Sequence, residues 1–121
     1  MQVGTNILPS YKNRTIMNNK DKCPLTYAIR ITGGKWKPII IYRLFNGINR
    51  FGILHRSIDG ISKNMLTREL REMEHNKILT RKIFAEIPPK VEYTLTKKGL
   101  GLVPIFDHLI EWAEKNKCNQ E

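Results

Sequence analysis

The segment from residue 61 to residue 94 limits the fold most, because an amphipathic helix and a β-hairpin follow each other there directly. Leu66, Leu70 and Met73 recur at i, i+4 and i+7, the spacing of a helix face that must be buried. A second face of the same helix collects five polar residues, Lys63, Asn64, Thr67, Arg68 and Arg71. Because such side chains reach base edges and phosphates, the pattern predicts a DNA-reading helix; the alternative is an ordinary solvated face.

The sequence predicts where this helix begins and ends, and which elements follow it. Ser62 is predicted to cap its amino end, and Asn76 to end it in the left-handed conformation. Residues 79–87 and 90–95 are rich in β-branched and aromatic side chains, and they predict two strands joined at a tip formed by residues 88–90. The expected order is a helix-turn-helix followed by a hairpin, or wing.

Further helices are expected on both sides of this unit. The sequence predicts a short helix from Pro24 to the glycine pair at 33–34, a second over about residues 35–45 and a third over about residues 51–57. Thr96 is predicted to cap one last helix that runs to about Lys115, with a kink at Pro104. The predicted fold class is mainly α with a small antiparallel β wing.

The last helix carries more apolar surface than one small core can bury. Residues 100–113 place apolar side chains on most sides of it, and a monomer of 121 residues would expose a large patch there. Part of this surface is therefore expected to pack against a second copy of the chain. The candidate interface residues are Leu102, Ile105, Phe106, Leu109 and Trp112.

Length and charge narrow the class of partner. The 121 residues suit one domain, predicted over residues 22–116 between a mobile arm at residues 1–21 and a tail at residues 117–121. Lys and Arg outnumber Asp and Glu by 21 to 11, a net charge of +10 that favours nucleic acid first and an anionic membrane surface second. No apolar stretch approaches the roughly 20 residues of a spanning helix, and no secretory signal is evident, so a cytoplasmic location is expected.

Within the DNA-reading helix, Asn64, Thr67 and Arg68 are the first candidates for contacts to bases. Arg71 ranks lower, because the amino-terminal half of such a helix enters the groove most deeply. For each of the four, a contact to phosphate is the alternative.

Five further residues, one serine and four cations, are expected to contact the DNA backbone. Ser62 and Lys63 lie at the positive end of the helix, where phosphate is favoured. Three wing residues, Arg81, Lys82 and Lys90, would add attraction that does not depend on base sequence, with Lys90 at the tip as the best candidate.

Solvated positions are considered for the remaining charged residues near this unit. A contact with the DNA backbone and a solvated position are both open for three cations, Lys35, Lys37 and Arg50. Three acids on the predicted DNA-reading helix, Glu69, Glu72 and Glu74, are expected to lie on its solvated surface, where they can pair with Lys or Arg one turn away.

Metal binding and catalysis find no support. His55, His75 and His108 are far apart, and none has another Cys or His at ligand spacing. The sequence has no glycine-rich phosphate loop, no nucleophile with a recognisable base and no C-x-x-C pair, which argues against a thiol-disulfide enzyme. No metal, no cofactor and no enzymatic activity are therefore expected.

Cys23 is a candidate redox sensor. It precedes a helix whose free amide groups favour an anion, and Lys20 and Lys22 lie close in sequence, so its thiolate should be stabilised. The alternative is a small residue that merely precedes a helix.

Residues 23–112 resemble the HxlR-type transcriptional regulators, a branch of the MarR-like winged helix-turn-helix proteins. The motifs that carry the resemblance, in order, are Cys23-Pro24, Gly33-Gly34-Lys35-Trp36, Arg50-Phe51, Gly60-Ile61-Ser62, Leu66-Thr67, Leu70, Arg81, Pro88 to Tyr93, Leu95-Thr96, Gly99, Pro104 and Trp112. The chain departs from the family pattern at Ile53, where many members carry a polar residue, and at Asn76, where glycine is commoner.

The resemblance implies a homodimer that binds an inverted repeat in a promoter. It places the helix after Ser62 in the major groove and the hairpin tip near the minor groove, and it implies no enzyme activity. It also implies that a cysteine at the position of Cys23 senses oxidants or electrophiles in some members, sometimes by bridging to a cysteine of the partner subunit, for which Cys118 is a candidate here. A winged-helix module that docks on acidic proteins and a regulator controlled by a small-molecule ligand remain alternatives.

Overall fold

The computed structural model describes residues 23–117, and the chain divides between Gly33 and Gly34 into two units. The predicted arm over residues 1–21, the tail beyond Lys117 and Cys118 lie outside the described residues. In the first unit, helix α1 spans Pro24–Thr32, with its proline in the first turn as predicted.

The second unit is mainly helical and carries one two-stranded antiparallel sheet, which confirms the predicted fold class. Its elements follow in the order α2 (Lys37–Phe45), α3 (Phe51–Ser57), α4 (Lys63–His75), β1 (Leu79–Phe84), β2 (Lys90–Leu95), α5 (Lys97–Leu100) and α6 (Val103–Asn116).

The core of the second unit is built around the apolar stripe of α4. Leu66, Leu70 and Met73 are almost fully buried, as their spacing predicted. The other large side chains that are fully buried come from α2, α3, the residue before β1 and the start of β1, and are Ile40, Ile41, Leu54, Ile78 and Leu79. Since each buried aliphatic side chain contributes roughly 1.5–3 kcal/mol, this stripe is a principal source of stability.

The ends of α4 agree with the prediction at one end and differ at the other. The Ser62 hydroxyl accepts a hydrogen bond from the Met65 amide at 3.0 Å, so the predicted cap is confirmed. Asn76 was wrongly predicted to be left-handed: its φ is −87°, and Lys77, with φ 64°, makes the turn. The Ile78 amide closes the helix by donating to the Met73 carbonyl at 2.9 Å, which turns Ile78 into the core.

The wing is shorter than predicted. Strand β1 ends at Phe84, which pairs with Lys90 at the far end of the register that begins with Leu79 and Leu95. Residues 85–89 therefore form the tip, and the placement of Lys90 there was wrong. Proline lacks an amide hydrogen, so the adjacent Pro88 and Pro89 cannot donate to a ladder, and the loop extends beyond them on the β1 side.

The last predicted helix is two helices. The Thr96 hydroxyl accepts from the Gly99 amide at 3.1 Å and caps the short α5, which ends at Leu100. Helix α6 then begins at Val103, and Pro104 lies in its first turn instead of kinking a longer helix. The first turn tolerates proline because its amides have no partner within the helix.

Gly99 marks the closest backbone approach in this part of the chain. A Cβ atom at this position would lie 2.2 Å from the Ile78 carbonyl oxygen, which also accepts the Thr96 amide at 3.0 Å. The junction between the end of α4 and α5 thus depends on the missing side chain.

Replacing Gly99 with alanine should destabilise the protein by about 1–3 kcal/mol, because the added methyl group forces the two backbones apart. Urea unfolding followed by circular dichroism measures the loss. Gly101→Ala is the matched control: its nearest atom would be an ordinary contact at 3.4 Å and its φ is −64°, so stability should not fall. Equal stabilities for the two variants would contradict the close approach.

Candidate nucleic-acid interface

Helices α3 and α4 form a helix-turn-helix whose turn is held by side chains. Gly60 takes a φ of 88° in the turn, a conformation that glycine adopts without strain. The His55 Nε2 atom and the Ile61 carbonyl oxygen lie 2.9 Å apart, and the Arg43 guanidinium donates to the Ser57 carbonyl at 3.2 and 3.3 Å. These bonds fix where α4 begins relative to α2 and α3.

The predicted reading face of α4 is accessible. Lys63, Asn64, Arg68 and Arg71 are exposed, and Thr67 is half-buried at the edge of the face. Within residues 23–117, neither Arg68 nor Arg71 forms an ion pair with a carboxylate. The two guanidinium groups are therefore available to a polyanion.

On another side of α4, the structure contradicts the solvated position that was open for Lys37 and predicted for Glu69, whereas Glu72 is exposed. Lys37 is only 9% exposed, and its ammonium donates to Glu69 at 2.7 Å and to Glu72 at 2.8 Å. Burial alone would lower the pKa of Lys37, but the hydrogen bonds to Glu69 and Glu72 outweigh it, so the pKa lies above its ordinary value. The sequence contains the one-turn spacing of the two acids, but nothing in it indicates that Lys37 lies opposite them.

Glu74, the third acid of α4, also has a partner. Its carboxylate lies 3.6 Å from the Nε atom of Arg81 on β1, and both side chains are about one-third exposed. Arg81 therefore connects the wing to α4, in addition to any contact with DNA. Pairs as exposed as this one contribute about 0–1 kcal/mol.

The wing carries its cations around an aromatic ring. The Lys82 and Lys90 ammonium groups lie 4.9 and 4.4 Å from the centre of the Phe84 ring. Lys90 also lies 3.6 Å from both Glu86 and Glu92, so two carboxylates offset its charge. Of the two lysines, Lys82 has the less compensated charge.

The candidate dimer residues differ in how far their side chains are exposed in the single chain. Leu109 is 56% exposed, Trp112 is 65% exposed and Ile105 is similarly open, whereas Leu102 is half-buried. Phe106 is 6% exposed and belongs to the core of the single chain. An apolar groove of about 350 Å³ lies between α2 and α6, lined by Pro38, Ile39, Tyr42, Arg43, Phe106, Leu109 and Ile110.

Cys23 occupies the N-cap position of α1 in the first unit, and its side chain is half-buried. The nearby backbone amides of Thr26 and Leu25 lower the pKa of the Cys23 thiol, as expected for a thiolate at the start of a helix. The candidate partner Cys118 lies outside the described residues.

The described residues offer neither a metal site nor a membrane-spanning helix. Between Cys23 and Lys117, no three His, Cys, Asp or Glu side chains are grouped so that they could hold a metal ion. No helix in that range is long and apolar enough to cross a membrane.

Comparison with known proteins agrees with this geometry. The model of the HxlR-like helix-turn-helix family matches residues 31–121. MalR of Fusobacterium mortiferum, named as a regulatory protein, is 43% identical over 99 residues, which cover 81% of this chain and 93% of MalR. YybR of Bacillus subtilis, named as an HTH-type transcriptional regulator, is 40% identical over 106 residues, covering 88% of this chain and 85% of YybR.

A solved structure of the reduced form of the redox regulator HypR superimposes with a TM-score of 0.74 at 40% identity. The match covers 78% of this chain and 94% of HypR. The helix-turn-helix with its hairpin wing, the extent of the family match and the identities of these relatives lead to one assignment: the chain belongs to the HxlR-like helix-turn-helix family and is a DNA-binding transcriptional regulator.

Proposed function

We propose that residues 22–116 act in the cytoplasm as a homodimer that binds an inverted repeat in promoter DNA, with α4 of each subunit in the major groove and the wing near the minor groove. The observation that carries this proposal is the exposed face of α4, where Arg68 and Arg71 have no acidic partner among the described residues. A helix with such a face fits the major groove, and a twofold dimer matches a palindrome.

In this proposal Asn64, Thr67 and Arg68 contact bases, with Arg71 following them into the groove. Arginine pairs with guanine through two hydrogen bonds and asparagine with adenine, whereas threonine contacts several bases. Lys63, at the positive end of α4, contacts phosphate.

Ser62 and the wing add contacts to the DNA backbone. The Ser62 oxygen accepts the capping bond, which leaves its hydroxyl hydrogen free to donate to a phosphate. Lys82 supplies most of the attraction from the wing, because Arg81 and Lys90 already face carboxylates at 3.6 Å.

Arg68→Ala should weaken binding to the preferred duplex by about 1–3 kcal/mol and relax the preference at one base position. The preferred site is first selected from random duplex DNA with the reduced wild type, and affinities are then measured by fluorescence anisotropy. Lys97→Ala, which removes one exposed positive charge from α5, is the control and should keep the base preference. Equal losses on every duplex would reduce Arg68 to a phosphate contact, and failure to select any site would favour a protein-interaction module.

The dimer is proposed to form through the exposed apolar side of α6. Ile105, Leu109 and Trp112 leave more apolar surface open than isolated residues normally do in a monomer. Phe106 supports this surface from beneath, because its side chain is already buried in its own subunit.

Leu109→Asp should shift the protein from dimer to monomer, since burying an unpaired carboxylate in an apolar interface is strongly unfavourable. Sedimentation velocity distinguishes the two states. Glu114→Lys changes an exposed charged side chain at least about 140° around the helix from Ile105, Leu109 and Trp112, and it should leave the dimer intact. A dimer that survives Leu109→Asp would place the interface elsewhere.

A redox response through Cys23 is the proposed signal. The lowered pKa of its thiol favours the reactive thiolate, and the relative HypR is named a redox regulator and has been solved in reduced and oxidised forms. Oxidation would act on DNA binding either through Cys23 alone or through a bridge to Cys118 of the partner subunit.

Mild diamide treatment should change the affinity of the wild type for its selected site, and it should not change the affinity of Cys23→Ser for that site. Cys118→Ser is the second variant: if it also loses the response, the oxidised form is a bridge between the two cysteines. A wild type that binds identically before and after diamide would exclude the redox signal and favour control by a small-molecule ligand.

A further inference from the structure

Helix α4 carries no net charge from its acidic and basic side chains. Three cations, Lys63, Arg68 and Arg71, are balanced by three acids, Glu69, Glu72 and Glu74. A helix that enters the groove of a polyanion with three free carboxylates would be repelled by phosphate. The positions of these acids therefore matter as much as those of the cations.

The ammonium of Lys37 binds two of these acids at once. It donates to Glu69 at 2.7 Å and to Glu72 at 2.8 Å, and these two acids are one helical turn apart. Glu69 and Glu72 follow Lys37 by 32 and 35 residues in the sequence. The side chains of Lys37 and Glu69 are 11% and 14% exposed, so these bonds are little weakened by water, whereas that of Glu72 is 51% exposed.

Two bonds from one point to successive turns restrict the rotation of α4 about its axis. At 100° per residue, the side that holds Glu69 and Glu72 lies about 120° from the centre of the face formed by Asn64, Thr67, Arg68 and Arg71. The Arg81–Glu74 pair on another side of α4 is longer and more exposed, so it restrains rotation less.

We propose that Lys37 is a positioning residue for base recognition: by holding Glu69 and Glu72 against α2, it sets the rotation of α4 and turns the reading face toward DNA. The inference rests on the proposed function of α4 as the reading helix. Lys37 itself makes no contact with bases, and its effect is exerted through the direction in which the α4 side chains point.

Three variants separate positioning from a purely structural role. Lys37→Met keeps the volume of the lysine stem but leaves two carboxylates without their partner, so it is also expected to lose stability. The triple variant Lys37→Met/Glu69→Gln/Glu72→Gln removes all three charges and restores folding, yet it lacks the ammonium that joins the two helices. Lys97→Met removes one exposed positive charge as a control.

The readout is the ratio of affinity for the selected site to affinity for a scrambled duplex, measured at one salt concentration and well below the unfolding temperature. This ratio does not depend on the fraction of folded protein. We expect it to fall at least about fivefold in the triple variant, the discrimination carried by one base contact, and to stay unchanged in Lys97→Met. Selection from random DNA should show weaker preferences at several adjacent bases, as a rotated helix requires.

A triple variant that folds and keeps the wild-type ratio would overturn the inference, because the charges would then serve stability alone. That result is distinct from failure of the proposed function. If the wild type itself prefers no sequence, or if Arg68→Ala leaves the wild-type preference intact, then α4 is not the reading helix and Lys37 has nothing to position.

Discussion

Burial of Leu66, Leu70 and Met73 is the constraint on which the arrangement of the second unit depends. A helix that buries this stripe can expose only the remaining part of its circumference, and on α4 that part contains Lys63, Asn64, Arg68 and Arg71. The hydrophobic effect thus selects the accessible face without any contact to the residues on it. Packing of the apolar stripe is not directional, so by itself it leaves the rotation of α4 loosely defined. The bonds from Lys37 to Glu69 and Glu72 are directional and define that rotation more closely.

The end of α4 connects this helix to the wing and to α5. Ile78 turns into the core, and its carbonyl oxygen accepts the Thr96 amide and lies where a side chain on Gly99 would be. The wing and α5 are therefore both joined to the end of α4 at this one junction. A regulator that presents a helix and a hairpin to one duplex needs such a connection, since the two elements must reach adjacent grooves at the same time.

Ion pairs within the chain occupy some of the cations that contribute to the net charge of +10. Lys37 is buried between two carboxylates, Arg81 lies beside Glu74 and Lys90 lies between Glu86 and Glu92. Lys37 joins α2 to α4 and Arg81 joins the wing to α4, whereas Lys90 faces acids of the wing itself. The arginines of α4 and Lys82 on the wing form no ion pair with a carboxylate among the described residues, and they are exposed on the surface proposed to face DNA.

Features encoded within a few residues could be predicted from the sequence: the stripe and cap of α4, the extent of α3 and the pairing of the two strands all rest on interactions between near neighbours. The wing tip, the separate helices α5 and α6 and the burial of Phe106 could not, because each depends on what the neighbouring elements cover. Lys37 shows the difference most clearly. Its partners lie 32 and 35 residues away in the sequence. From the sequence alone, a lysine in the first turn of a helix is expected to be solvated. Only the packing of α4 against α2 buries this lysine, and its charge then requires the two carboxylates as partners.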